Sequence, residues 1–163
     1  MDNVVKELLN LLSDLLACQE RLLAMALARR EAMRAFEVDR LEMLTEQQRL
    51  ETQNLTTLDL RRKAIVSQFK PILRGVEPTV TEISKRIGEP QKTQLLALAS
   101  KIKSTVEQVD RNNRINATIS DTVVKGLAKV LKVVTGLAQH AGLYMRNGRK
   151  AALHGIHLLE ITA

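Results

Sequence analysis

The first 70 residues of this 163-residue chain contain neither glycine nor proline, and the first proline is Pro71. These two residues disfavour helix more than any others, so a stretch of this length without them strongly favours helix. Aromatic residues make up only 2% of the chain. Leucine, alanine, valine and isoleucine must therefore fill the interior, which suits the seams between packed helices. We expect an all-α fold.

Within these 70 residues, seam positions recur at alternating steps of three and four residues in two successive sets, as expected for one stripe on each of two helices. The step between the sets, from Phe36 to Leu41, is five residues, so the sets are out of phase. We predict a helical hairpin with its turn near residues 36–39, and one continuous helix of about 70 residues is the alternative. Asp39 would be the N-cap of the second helix and Glu42 its capping-box partner. The first set is Val5, Leu8, Leu12, Leu15, Gln19, Leu22, Ala26, Arg29, Met33 and Phe36, and the second is Leu41, Leu44, Gln48, Glu51, Leu55, Leu58, Arg62, Ile65, Phe69 and Ile72.

A linker at residues 71–90 contains all three prolines of the chain and two of its glycines. It could include a short helix at 79–87 with Val80, Ile83 and Ile87 facing inward. A third long helical pattern follows. The predicted fold is an elongated antiparallel bundle of three long helices with a short linker helix and a flexible C-terminal tail. The predicted bundle covers residues 1–138, with helices at about 3–36, 39–73, 79–87 and 91–138, and the tail covers residues 139–163.

Two polar residues, Asn113 and Asn116, occupy seam positions of the third helix. A buried asparagine weakens packing but fixes register, because in a shifted alignment it would lack a hydrogen-bond partner. We interpret the pair as a structural register element. Its candidate partners on the hairpin are Gln48, Glu51 and Arg62.

The predicted third helix is longer than the hairpin beside it, at roughly 70 Å against 50 Å. The surplus falls near residues 123–138, where apolar side chains are dense. Large exposed apolar patches seldom persist on soluble monomers, so this end predicts a partner. A foreign protein, a second copy of the chain and fold-back onto the linker helix all remain open. The candidate binding residues are Val123, Leu127, Val130, Leu131, Val134 and Leu137.

Charge is unevenly distributed: residues 1–60 carry 7 basic and 11 acidic side chains, and residues 61–163 carry 18 and 7. The basic residues are spread along helix faces without interleaved aromatics for base stacking, so we expect no nucleic-acid partner. The single cysteine, Cys18, fits a reducing compartment. Because the opening segment is neither a signal peptide nor a membrane span, we expect a cytoplasmic protein without stable membrane insertion.

Few residues could support chemistry. His154, His157 and Glu160 could lie on one helical face, but a spacing of three arises easily by chance, so we expect no metal site, no cofactor and no catalytic residue. Tyr144, the only tyrosine, falls beyond the predicted bundle. It could anchor the chain in a partner's pocket or fold onto the end of the bundle.

Three features together resemble the FlgN-like flagellar export chaperones. One is the leucine-rich opening helix that leads to Glu31-Ala-Met and then to Asp39-Arg-Leu. The others are Asn113-x-x-Asn116 within the last long helix and Tyr144-x-x-x-Gly148-Arg149 beyond it.

The resemblance implies a cytoplasmic helical bundle that binds flagellar hook-associated proteins, prevents their premature assembly and delivers them to the type III export gate. It makes residues 123–137 the candidate substrate-protein surface, and Tyr144, Gly148 and Arg149 the candidate contacts with the export gate protein. A homodimeric coiled-coil scaffold or adaptor without client delivery is the alternative, and a homo-oligomer is possible in either case.

Overall fold

The computed structural model describes the backbone of residues 2–141 and the side chains of residues 2–136. Within this range the protein contains four helices and no strand, which confirms the all-α prediction. The helices are α1 (Asp2–Ala35), α2 (Val38–Ser67), α3 (Val80–Ser84) and α4 (Gln91–Ala141). The chain divides into a first compact unit, residues 1–119, and a second unit, residues 120–163. The predicted boundary at residue 138 remains a prediction.

The helices α1 and α2 form the hairpin that the five-residue step predicted. Hydrogen bonds from Arg21 to Glu51 and from Arg61 to Glu7 show that the two helices run antiparallel. At the turn, Phe36 adopts a left-handed backbone conformation with φ of 55°. The N–H of Glu37 donates to the carbonyl of Ala32 at 3.0 Å. This six-to-one bond, with a left-handed residue before it, is a Schellman ending of α1.

The start of α2 differs from the prediction. The helix begins at Val38, its N-cap is Glu37, and that side chain makes no capping hydrogen bond. Asp39 therefore lies inside the first turn, where its charge interacts favourably with the helix dipole, and the predicted capping box with Glu42 is wrong.

The α-helical part of α2 ends at Ser67, six residues before the predicted end at residue 73. Pro71 explains the difference, because a proline disfavours helical geometry at the residue before it and has no N–H to donate. The chain continues in tight turns that still bury Phe69 and Leu73. Within the following linker, Thr79 caps α3 by accepting a hydrogen bond from the N–H of Glu82. Ile83 and Ile87 are buried, as predicted, and Val80 is half-buried.

The core of the first unit joins the beginning of α1, the end of α2, the linker and the beginning of α4. Further along, Cys18 and Leu22 of α1 pack against Val109 of α4. Residues later in α1 thus contact residues later in α4. These two helices are therefore parallel, and α2 is antiparallel to both. The main core residues are Val5, Leu8, Leu11, Leu12, Leu15, Ile65, Phe69, Leu73, Ile83, Ile87 and Leu95.

Candidate functional site

The part of α4 in the second unit carries large apolar side chains in contact with solvent. We call the predicted binding residues the apolar face; its five described members, Val123, Leu127, Val130, Leu131 and Val134, are each between 40% and 60% exposed. At 100° per residue these five lie within one half of the helix circumference. The neighbours Val124 and Val133 extend it on either side and are also exposed. The sixth member, Leu137, lies beyond the described side chains.

The opposite half of the same helix is basic. Lys125, Lys129 and Lys132 are exposed, and their spacing places them within about 60° of one another around the helix. Lys125 forms an ion pair with Asp121 at 2.7 Å, one turn earlier. This surface pair contributes little stability but leaves the segment with a net positive charge. Residues 120–136 are therefore a basic amphipathic helix, suited to pairing with another apolar helix.

Gly126 lies within this helix, although a larger residue would fit at its position. A Cβ placed on Gly126 would have no atom within 4 Å. Glycine lowers helix stability relative to alanine by about 1 kcal/mol. Since no close approach within the described chain requires a glycine there, its effect in the free protein is to weaken the helix that carries the apolar face.

In the first unit, Asn116 links α4 to α1. It is 4% exposed, and its side-chain nitrogen donates to the carbonyl of Ala26 at 2.7 Å. Its side-chain oxygen accepts from Arg30 Nε at 3.4 Å, while Arg30 Nη2 donates to Asn112 Oδ1 at 2.6 Å. These contacts can be made only in one alignment of the two helices, which is what a register element requires.

Asn113 is half-buried, and the neighbouring Asn112 bonds to Arg30 instead. The predicted partners of the asparagine pair bond elsewhere: Gln48 to Arg29, Glu51 to Arg21 and Arg62 to Asp59. The predicted facing residues were therefore wrong. The physical reason is that the side chain of Asn116 bonds to α1, through the Ala26 carbonyl and Arg30.

Cys18 and Glu51 form a tight junction between α1 and α2. Burial and the neighbouring Glu51 raise the pKa of the Cys18 thiol from 9.0 to about 12. Arg21 donates to the Glu51 carboxylate at 2.6 Å and lowers the pKa of that carboxyl from 4.5 to about 2. At neutral pH the thiol is therefore protonated and Glu51 is ionised, and nothing in this pair points to a nucleophile.

An open groove of about 430 Å³ lies between α1, α2 and α4 in the first unit. Its floor is apolar, with Leu15, Leu55 and Ile102, and three polar residues line its sides: Gln19, Asp59 and Arg62. The groove explains one of the polar residues at predicted seam positions, Arg62, whose side chain is partly exposed there and pairs with Asp59. Gln19 lines the same groove but is buried.

Several predicted residues lie outside the described range: Tyr144, Gly148 and Arg149, and the histidines and glutamate considered for metal binding. Among the side chains that the structure describes, no group of three or more potential ligands could hold a metal ion. None of the helices over residues 2–141 is long and apolar enough to cross a membrane.

Comparison with known proteins gave one family. A family model described as FlgN protein matches residues 1–152 of the chain. Searches of curated proteins and of solved structures gave no match.

Proposed function

The chain belongs to the FlgN family of flagellar chaperones, and from this premise we propose that it is a cytoplasmic export chaperone for hook-associated proteins. In this proposal it binds these clients, prevents their premature assembly and delivers them to the type III export gate. The observation that supports a binding role is the apolar face of α4, whose described side chains are 40% to 60% exposed.

The proposed mechanism follows from the character of this face. An assembly-competent client exposes a coiled-coil-forming segment, and pairing with α4 covers the apolar side chains of both partners. Part of the binding free energy is consumed in ordering the client segment, which keeps the complex releasable. The exposed lysines of α4 would remain at the rim of such an interface, where they favour an acidic segment and speed its association.

Substitution of the apolar face tests client binding. We expect Leu127→Asp with Leu131→Asp to abolish binding of the purified hook-associated proteins of the same organism, measured by calorimetry. Helicity by circular dichroism should be nearly unchanged, since both side chains are at least 55% exposed. The matched control is Ala128→Asp with Thr135→Asp, which adds the same charge to exposed positions of the same helix and should retain binding. Unchanged binding in the Leu127/Leu131 variant would refute the proposed surface.

Delivery is proposed to use Tyr144, Gly148 and Arg149, on the basis of the family resemblance. An aromatic side chain can anchor a mobile partner in a pocket because it buries a large area. We expect Tyr144→Ala to leave client binding unchanged and to weaken binding of the purified gate protein at least tenfold. Loss of client binding in this variant would contradict the assignment.

A second candidate function is a homodimeric scaffold, since an exposed apolar helix face can pair equally with a second copy of itself. Sedimentation equilibrium separates the two. The scaffold requires a stable dimer of the wild-type chain that dissociates in the Leu127/Leu131 variant, whereas the chaperone proposal requires a complex with a client.

A further inference from the structure

The exposed area of the apolar face is large for a protein without its partner. The five described members and their two neighbours together expose on the order of 500 Å² of apolar surface, near the upper end for soluble monomers. Such a surface favours association with whatever apolar segment is nearest. In the absence of a client, a segment of the same chain could therefore occupy this face.

The sequence supplies an apolar segment outside the family pattern. The family match ends at residue 152, and five of the next eleven residues are large aliphatic residues: Leu153, Ile156, Leu158, Leu159 and Ile161. We propose that residues 153–163 are a covering segment that folds back onto the apolar face of the same chain until a client displaces it. This inference rests on the proposed client-binding role of that face.

The length of the connection supports an intramolecular contact. Helix α4 ends at Ala141, and eleven residues separate that end from the covering segment. The end of α4 is eleven residues, or about 17 Å, from Val130 at the centre of the face. A flexible chain of eleven residues has a root-mean-square span of roughly 17–20 Å. The connection therefore matches the distance it must bridge, which is the condition for a high effective concentration.

The covering segment would set a threshold for client binding. A short connection gives the covering segment an effective concentration on the order of a few mM at the apolar face. If the separated segment bound the face with a Kd of about 1 mM, the covered form would outnumber the open form about three- to tenfold. A client that binds tightly displaces the segment, while weak nonspecific apolar contacts do not. The same contact protects the free protein from aggregation through its exposed helix.

Thiol labelling of the full chain tests the contact. The reporter is Val130→Cys, and Cys18 stays as background because it is fully buried and the pKa of its thiol is raised to about 12. The covering segment is disrupted with Ile156→Asp and Leu159→Asp, and the matched control is Ala151→Asp with Thr162→Asp. We expect the N-ethylmaleimide labelling rate of the reporter to rise about four- to elevenfold in the disrupted chain, since the open fraction rises from between 1/4 and 1/11 to one, and to stay unchanged in the control.

A second reporter and a dilution series complete the design. Lys129→Cys lies on the opposite half of α4, so its labelling rate should not respond to the disrupted segment. An unchanged rate at Val130→Cys, or an equal rise at both reporters, overturns the proposal. The protection should also be independent of chain concentration. Protection that disappears on dilution would identify a second copy as the occupant and would likewise overturn it.

The same assay separates this inference from the proposed function. Purified hook-associated proteins should protect the Val130→Cys reporter in every variant. Client protection without any effect of the disrupted segment would refute the cover and leave the chaperone role intact. An effect of the segment without client protection would support the cover and refute the client surface.

Discussion

Removal of the Asn116 side chain provides a direct test of the register element. Asn116→Ala deletes the donor to the Ala26 carbonyl at 2.7 Å and the acceptor of Arg30 at 3.4 Å. A buried hydrogen bond contributes about 1 kcal/mol, and a long bond to a charged group adds less than its usual contribution. We therefore expect a loss of about 1–3 kcal/mol in the free energy of unfolding.

Thermal unfolding followed by circular dichroism measures this loss. For a chain of this size each kcal/mol lowers Tm by about 2–4 °C, so Asn116→Ala should unfold about 2–12 °C below the wild type. Asn113→Ala is the matched control, because that side chain is half-buried and Asn112 is the residue that bonds to Arg30. Equal destabilisation by the two variants would show that the contacts of Asn116 do not distinguish it from an ordinary seam position.

Two further predictions concern charge and helix stability. Glu51→Gln should lower the free energy of unfolding at pH 7, and the difference from the wild type should vanish as pH falls from 4.5 towards 2. The reason is that the lowered pKa of Glu51 stabilises the fold only while the carboxyl is ionised. Urea unfolding across this pH range measures the difference, and the control Glu46→Gln, at an exposed pair with Arg49, should change stability less. Gly126→Ala should stabilise α4 by about 0.5–1 kcal/mol, since the Cβ of the introduced alanine would have no atom within 4 Å. Slower hydrogen exchange over residues 120–136 would show this stabilisation, and faster exchange would contradict it.

The spacing favoured the hairpin over one continuous helix, because a five-residue step does not continue a stripe on one helix. The end of α2 could not. Phe69 and Ile72 keep the phase of the helical pattern, and Phe69 is buried, although the α-helix ends at Ser67. The tight turns around Pro71 still bury Phe69. The apolar spacing in the sequence therefore extends past the residue at which the α-helix ends.

The spacing of seam positions also could not predict the hydrogen-bond partner of Asn116. Arg30 lies next to the seam position Arg29 and does not belong to the predicted stripe. Its long side chain nevertheless extends to both Asn112 and Asn116. Seam spacing identifies which residues face a neighbouring helix, but it does not say which of two helices is that neighbour. The asparagine at position 116 was identified correctly as a buried seam residue, whereas its environment depended on the parallel alignment of α1 and α4.

The parallel course of α1 and α4 has a practical consequence for labelling experiments. Helix α4 leaves the first unit after Ile119, and Asn116 nearby contacts Ala26, late in α1. The start of α1 is about 36 Å from that contact, at 1.5 Å per residue. An affinity tag or fluorophore fused before Asp2 would thus be attached at the end of the unit remote from Ile119. Immobilisation through that end should leave the Ile119 end of the first unit free in surface-based measurements.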